Sequence, residues 1–219
     1  MNEKGKNILP MIGFILIVSV LLGGLALAKG FGKVGSSDSD KTSSKSETRG
    51  STLGGYSIDD TGSASASGMK NISISAVSSE VKIETHRSNE VEAYFHGKVT
   101  TLNKDALPYL EVKKDGKTII VRIVYPNPVN VSISGRTWLD VKIPEDWKNA
   151  LEVSTVSGQI TAPQLNGEEI KLNTTSGSIN VANINGEEVQ MRSTSGSFKI
   201  GKAIVRDLFE MGTISGSFE

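Results

Sequence analysis

Apolar residues follow three successive rhythms along this 219-residue chain. Ile8 to Ala28 is a run of 21 residues without a charge, bracketed by Lys4, Lys6, Lys29 and Lys33. At about 1.5 Å per residue, a helix of that length spans roughly 30 Å, the hydrocarbon thickness of a bilayer. From Gly30 to Gly68 the apolar positions lose all period, and 19 of these 39 residues are Ser or Gly. After Met69 a period of two takes over. Ile72-Ser-Ile-Ser-Ala76 and Val81-Lys-Ile83 alternate apolar and polar residues, as half-buried strands do. Strands are predicted again over Val91 to Val99, Tyr109 to Val112, Thr118 to Tyr125, Val129 to Ile133 and Trp138 to Ile143. Asp115-Gly116 reads as a tight hairpin turn between two of them, and Pro144-Glu145-Asp146 as a breaker. Helix content after residue 30 is expected to be slight.

Over the last 69 residues the alternation acquires a longer period. Thr155-Val156-Ser157-Gly158, Thr174-Thr175-Ser176-Gly177, Ser193-Thr194-Ser195-Gly196 and Thr213-Ile214-Ser215-Gly216 place the serines before their glycines 19, 19 and 20 residues apart. Numbering units from Leu151, Ile170, Val189 and Phe209, positions 1 and 3 are apolar in every unit. Position 10 is Ile160, Ile179, Phe198 or Phe218, and position 12 is Ala162, Val181 or Ile200. Such a period marks stacked coils, each burying its apolar face against its neighbours. Two short strands per unit with Ser-Gly at the corner is the economical account. Outward position 2 runs Glu152, Lys171, Gln190, Glu210, which predicts opposite charges side by side. Ile72 to Ile83 fits the template with Ser79 in place of the corner glycine. Leu110, Val112, Asp115-Gly116, Ile119 and Val121 fit it more loosely. The fold class predicted is therefore all-β, a single-domain solenoid or β-helix-like stack of 19–20-residue units. An N-terminal transmembrane helix and a disordered linker precede it.

The domain plan has four parts: a cytoplasmic n-region over 1–7, a membrane helix over 8–28, a flexible linker over 29–68 and the β domain over 69–219. A Ser/Gly-rich segment of this kind buries too little apolar surface to offset its ordering entropy. The lysines before the apolar run favour a cytoplasmic N-terminus, so the β domain is expected to lie outside the cytoplasmic membrane. An alternative is a signal peptide cleaved after Ala28, at Ala26-Leu27-Ala28, which would release the domain as a secreted or surface adhesin. Charge narrows the partners: 24 basic residues balance 24 acidic ones, so no global field recruits nucleic acid. The chain has no cysteine, which excludes disulfides, thiolate metal sites and a thiol nucleophile.

The S-G-x-[I/F] units, the opening Ile72–Ile83 segment with Ser88-Asn89-Glu90-Val91-Glu92-Ala93, and Leu139-Asp-Val-Lys-Ile-Pro144 followed by Leu151-Glu-Val-Ser-Thr-Val-Ser-Gly158 resemble the bacterial putative-adhesin domains. These form a family of unknown function whose members often follow a transmembrane anchor. The resemblance covers residues 69–219 and implies a β-helix-like fold and an envelope location. It carries no catalytic residues.

Few residues suggest chemistry. Asn166-Gly167-Glu168-Glu169 and Asn185-Gly186-Glu187-Glu188 occupy equivalent turns, and stacking would gather four carboxylates near a hard cation; solvated glutamates at Asn-Gly turns explain them as well. Ser79-Glu-Val-Lys82 and Ser67-Gly-Met-Lys70 share the letters of serine acyl enzymes, but residues i and i+3 of a strand face opposite sides. His86 and His96, the two histidines, read as surface or rim residues rather than a metal pair. Trp138, Trp147, Tyr109 and Tyr125 suit either a glycan-stacking platform or core and cap positions. The columns Thr155, Thr174, Ser193, Thr213 and Ser157, Ser176, Ser195, Ser215 suit corner hydrogen bonding or, read functionally, a regular polar strip for carbohydrate or another repeat chain. No catalytic, cofactor or metal residues are assigned, no cofactor is expected, and an enzyme acting on polysaccharide is the least favoured reading. The expected role is binding or scaffolding at the cell envelope, within reach of envelope-stress sensing. Its partners would be the membrane through 8–28 and a cell-wall glycan or envelope membrane protein. The chain stops one residue after Phe218, which predicts an open strand edge suited to self-association.

Overall fold

The computed structural model describes residues 54–126 and 133–219. The apolar run 8–28, most of the segment expected as linker, and residues 129–132 of one expected strand lie outside the described residues. Among the described residues no helix is long and apolar enough to cross a membrane.

The described residues form eleven strands and one 3₁₀ turn. In chain order they are β1 (Gly54–Ser65), β2 (Asn71–Ser75), β3 (Glu80–His86), β4 (Glu90–Thr101), the turn Lys104–Ala106, β5 (Tyr109–Asp115) and β6 (Thr118–Val124). Then follow β7 (Ile133–Pro144), β8 (Ala150–Thr155), β9 (Ile160–Thr174), β10 (Ile179–Ser193) and β11 (Phe198–Thr213). The strands form two faces that share β9, β10 and β11. On one face the order is β5-β6-β2-β8, continuing into the later halves of β9 to β11. On the other it is β1-β4-β7-β3, continuing into their earlier halves. Among the described residues pairing is parallel throughout the coils and antiparallel only at β1–β4, β4–β7 and β5–β6.

The columns follow from the repeat. Ile119, Ile72, Leu151, Ile170, Val189 and Phe209 stand in register across six strands, and so do Val121, Ile74, Val153, Leu172, Met191 and Met211. On the second face the column is Phe95, Leu139, Val81, Ile160, Ile179 and Phe198, with Phe218 bridged to Phe198 at its end. Most of these side chains are fully buried. At about 4.8 Å between strands, identical positions meet as layers of one core.

Three expectations need correction. The sequence pattern extends the linker through residue 68, yet Gly54–Ser65 forms β1, paired antiparallel with β4 along its whole length. Its inward side carries Tyr56, Ile58, Asp60, Gly62 and Ala64, too little apolar character to register as an alternation. Ile58 is buried, and Tyr56 and Ala64 pack on the core. Ordering here rests on twelve backbone pairings along the β4 edge more than on apolar side chains. Secondly, Ile119 and Val121 occupy positions 1 and 3 of the coil, which the looser alignment gives to Leu110 and Val112. The latter sit on β5, which folds back on β6 through the two-residue turn Gly116-Lys117. Thirdly, each later coil holds one continuous strand of 15 or 16 residues in place of the two short strands expected. The strand turns from one face to the other with its ladder resuming beyond the turn, where β10 shifts register against β11 between Gly186 and Glu188.

The Ser-Gly corners are held from inside. The N–H of Gly158 donates to Thr155 Oγ1 at 3.1 Å, that of Gly177 to Thr174 Oγ1 at 2.9 Å, and that of Gly196 to Ser193 Oγ at 2.7 Å. A Cβ on any of these glycines would overlap the carbonyl oxygen of the corner below: Ser79, Gly158 and Gly177 in turn. Ser79 begins the stack. It tolerates a side chain because that side chain meets Thr137, with 2.7 Å between the two hydroxyl oxygens.

The two ends differ. At the β1/β5 end the antiparallel strands close on each other: the N–H of Leu110 donates to Asp60 Oδ2 at 3.0 Å, and Gly62 lies against Val112. At the other end residues 217–219 pair with Phe198 and Ile200. The rest of β11 has no strand on its far side among the described residues. Ile204, Leu208, Phe209, Ile214 and Phe218 are exposed there.

Candidate functional site

With the interior filled by columns of side chains, the outward surface of β1-β4-β7-β3 offers the most varied chemistry. Register places its outward residues in rows. One row is Asp59, His96, Trp138 and Glu80; the next is Thr61, Tyr94, Asp140 and Lys82; the third is Ser63, Glu92, Lys142 and Glu84. Directly opposite side chains in such rows have Cβ atoms about 4.5–5.5 Å apart and interact as pairs.

Three aromatic rings stack across this face. Tyr94 and His96 lie 4.4 Å apart with planes 14° from parallel, and His96 and Trp138 lie 5.6 Å apart at 18°. Asp140 fixes the middle ring through a 3.0 Å contact between its Oδ2 and His96 Nε2. Tyr94 ends the stack and remains 38% exposed. A hydrogen bond to the Asp59 carboxylate, with added burial and charge effects, raises the Tyr94 hydroxyl above its ordinary pKa of 10.0. The stack is anchored by close backbone packing between its strands. Gly97, beside His96, has φ 144° and faces Thr137; a Cβ there would lie 2.8 Å from the Thr137 Cα.

Beside Tyr94 opens a shallow cleft of about 690 Å³, lined by Thr61 and Ser63 on β1, Glu90, Glu92 and Tyr94 on β4, Asp140 and Lys142 on β7, and Glu84 on β3. That volume lies within the range of small-molecule sites, about 300–1,000 Å³. Four carboxylates and one lysine line it. Lys82 pairs with Glu84 at 2.6 Å, and hydrogen bonding and charge from that partner raise the lysine's pKa. His86 ties one lip in place: its Nε2 lies 2.7 Å from the Glu90 carbonyl oxygen and its Nδ1 3.8 Å from Glu92 Oε1.

The residues singled out in the sequence divide accordingly. Of the four aromatics, only Trp138 joins this face. Trp147 is buried with its Nε1–H donating to the Ala150 carbonyl, burial raises the Tyr125 hydroxyl's pKa, and Tyr109 is exposed on β5. The histidines sit apart in separate contacts, and no group of three or more potential metal ligands occurs among the described residues. The turn glutamates stack in register, Glu169 beside Glu188, but Lys171 engages Glu169 and Arg206 engages Glu187. The charges at position 2 are in register as expected, although Glu210 pairs with Arg192 and Lys171 with Glu169. Ser79 is buried against Thr137 while Lys82 points outward to Glu84. Ser67 and Lys70 lie exposed in the β1–β2 connection. In the hydroxyl columns Thr155, Thr174 and Ser193 are buried corner acceptors, whereas Ser157, Ser176, Ser195 and Ser215 are exposed. Tyr94 escaped the sequence reading; its place in an outward-facing series with Glu92 and His96 was the available signal.

The family model described as Toastrack DUF4097 matches residues 69–217. Among solved structures, a putative cell adhesion protein from Clostridium sporogenes is 11% identical, with 74% of this chain and 98% of that one covered and a TM-score of 0.37. A putative adhesin from Parabacteroides distasonis is also 11% identical, covering 74% and 79%, at a TM-score of 0.32. A putative lipid binding protein from the same species is 11% identical, covering 74% and 96%, at 0.24. No curated protein matches the chain.

Proposed function

The chain belongs to the Toastrack DUF4097 family, and on that footing we propose that it is a non-catalytic binding domain of the cell envelope, tethered outside the cytoplasmic membrane by residues 8–28 with its N-terminus inside. The observation that carries this reading is the Tyr94–His96–Trp138 stack beside an open cleft, on the outer surface of a sheet whose inner surface is packed. Aromatic faces with polar neighbours bind planar or ring-shaped groups without any reaction at them. A cell-wall glycan or an envelope membrane protein is the partner this suits, and occupancy of the cleft is how the domain would report envelope stress. Release as an adhesin after cleavage at Ala28 is the alternative disposition. Protease added to intact walled cells would then find the domain in the medium instead of behind the wall.

Binding is tested by cosedimentation of the full chain with isolated cell walls. Trp138→Ala, checked for retained β signal by circular dichroism, should reduce the bound fraction severalfold. Undiminished binding would overturn the assignment to this face. A second reading, a self-assembling scaffold, is favoured by the apolar residues along the side of β11 that carries no strand among the described residues. Sedimentation velocity should then show association that Phe209→Lys abolishes; a monomer at all concentrations would exclude it.

A further inference from the structure

The charge of the cleft selects among envelope ligands. Across the whole chain acids and bases cancel, 24 against 24, yet the cleft is lined by Glu84, Glu90, Glu92 and Asp140 against Lys142 alone. Even with Lys82 counted against Glu84, acids remain in excess. An anionic polymer is repelled by such a lining, and a neutral sugar gains hydrogen bonds from it but no charge attraction. A cation gains twice, from the carboxylates and from the face of Tyr94 at the end of the ring stack.

The remaining lining narrows the cation further. Thr61 and Ser63 present hydroxyls along the β1 side, and Lys142 stands in register between Glu92 and Glu84 as a donor. Short hydroxyls and an ammonium donor suit a ligand rich in hydroxyl groups. The Tyr94 ring offers an apolar plane for the C–H face of a pyranose. Glu92 lies two residues along β4 from Tyr94, about 6.6 Å away on the same face, and Asp140 stands directly opposite Tyr94 on β7. One hexose ring therefore reaches the aromatic plane and a carboxylate together.

Building on the binding reading above, we propose that the cleft recognises a hexosamine bearing a free amino group. Its ring lies on Tyr94, its ammonium is held by Glu92 and Asp140, and its hydroxyls face Thr61 and Ser63. N-acetylation removes the charge, so the acetylated sugar loses the carboxylate attraction and binds more weakly.

The test is titration calorimetry of the full chain in detergent with a glucosamine tetramer, its N-acetylated counterpart and tetralysine, at low and at high salt. The glucosamine tetramer should bind, and the acetylated tetramer should bind at least about tenfold more weakly. Tyr94→Ala and Glu92→Gln should each lower affinity about fivefold or more, with Tyr94→Phe close to the parent protein. Glu92 is partly solvent-exposed, so Glu92→Gln should melt like the parent, while Tyr94→Ala gives up its stacking on His96 and should melt somewhat lower with its β signal retained by circular dichroism. Equal binding of the acetylated tetramer would overturn the proposal, as would tetralysine binding as tightly with Tyr94→Ala unaffected. Absence of all three interactions would overturn it too. Cell-wall cosedimentation that persists in that last case leaves the broader binding reading standing, so the two failures are distinguishable.

Discussion

Each corner glycine sits over the carbonyl oxygen of the corner beneath it, with its own N–H turned to a buried hydroxyl. Both contacts are needed at once, so the two residues of each Thr/Ser–Gly pair fail differently. Gly177→Ala forces adjacent coils apart at one corner and should cost about 1–3 kcal/mol, as overpacking does. Urea unfolding should show it as a lower midpoint with unchanged slope. Thr174→Val keeps the shape but leaves the buried Gly177 N–H without its acceptor, at about 1–3 kcal/mol. Thr174→Ser should recover most of that, because Ser193 already serves the next corner. Measuring the pair of variants separates the hydrogen bond from the packing. The sequence made these corners visible because the same two residues recur in every coil. Tyr94 and His96 recur nowhere, and their stacking with Trp138 depends on the pairing of β4 with β7, some 40 residues apart in the chain.

Among the elements, the β5–β6 hairpin is held at its exposed side by one acid between two bases. Glu111 accepts from Arg122 Nε at 2.5 Å and meets Lys113 Nζ at 3.2 Å. Burial alone would raise its pKa, but the two cations outweigh it and hold the carboxyl below the ordinary 4.5. A depressed carboxylate stabilises the fold above its unfolded value and loses that contribution as pH falls through the folded one. The Glu111 contribution is therefore complete above about pH 4.5 and disappears in more acidic solution. Glu111→Gln should lower the melting temperature at neutral pH and flatten its fall below pH 4.5. Thermal melts of both proteins across that range check the sign. The hairpin itself was legible from Asp115-Gly116, whereas the ion triad was not. Glu111 and Arg122 are brought opposite only by the register of the turn.

For the whole molecule, the decisive feature is that the stack is finished differently at its two ends. The β1/β5 end is closed by chain that folds back antiparallel, and β1 supplies part of that closure. A fragment of residues 69–219 should therefore melt well below one of residues 54–219, since it strips the β4 edge and exposes the contacts of Ile58. Equal melting temperatures would mean that β1 is dispensable. At the other end the far side of β11 should exchange its amide hydrogens faster than β9, which is paired on both sides. The sequence by itself determined the coil: period-two alternation fixed strands, the 19–20-residue period fixed stacking, and recurring Gly and hydroxyl residues fixed the corners. These are local rules repeated in every unit, so each repeat restates them. Only the tertiary structure decided how the stack begins, that Ser- and Gly-rich β1 is a strand, and which outward side chains share a row. Those outcomes come from non-local pairing, antiparallel at β1–β4 and β4–β7 and parallel at β7–β3, whose register joins residues that no local pattern links.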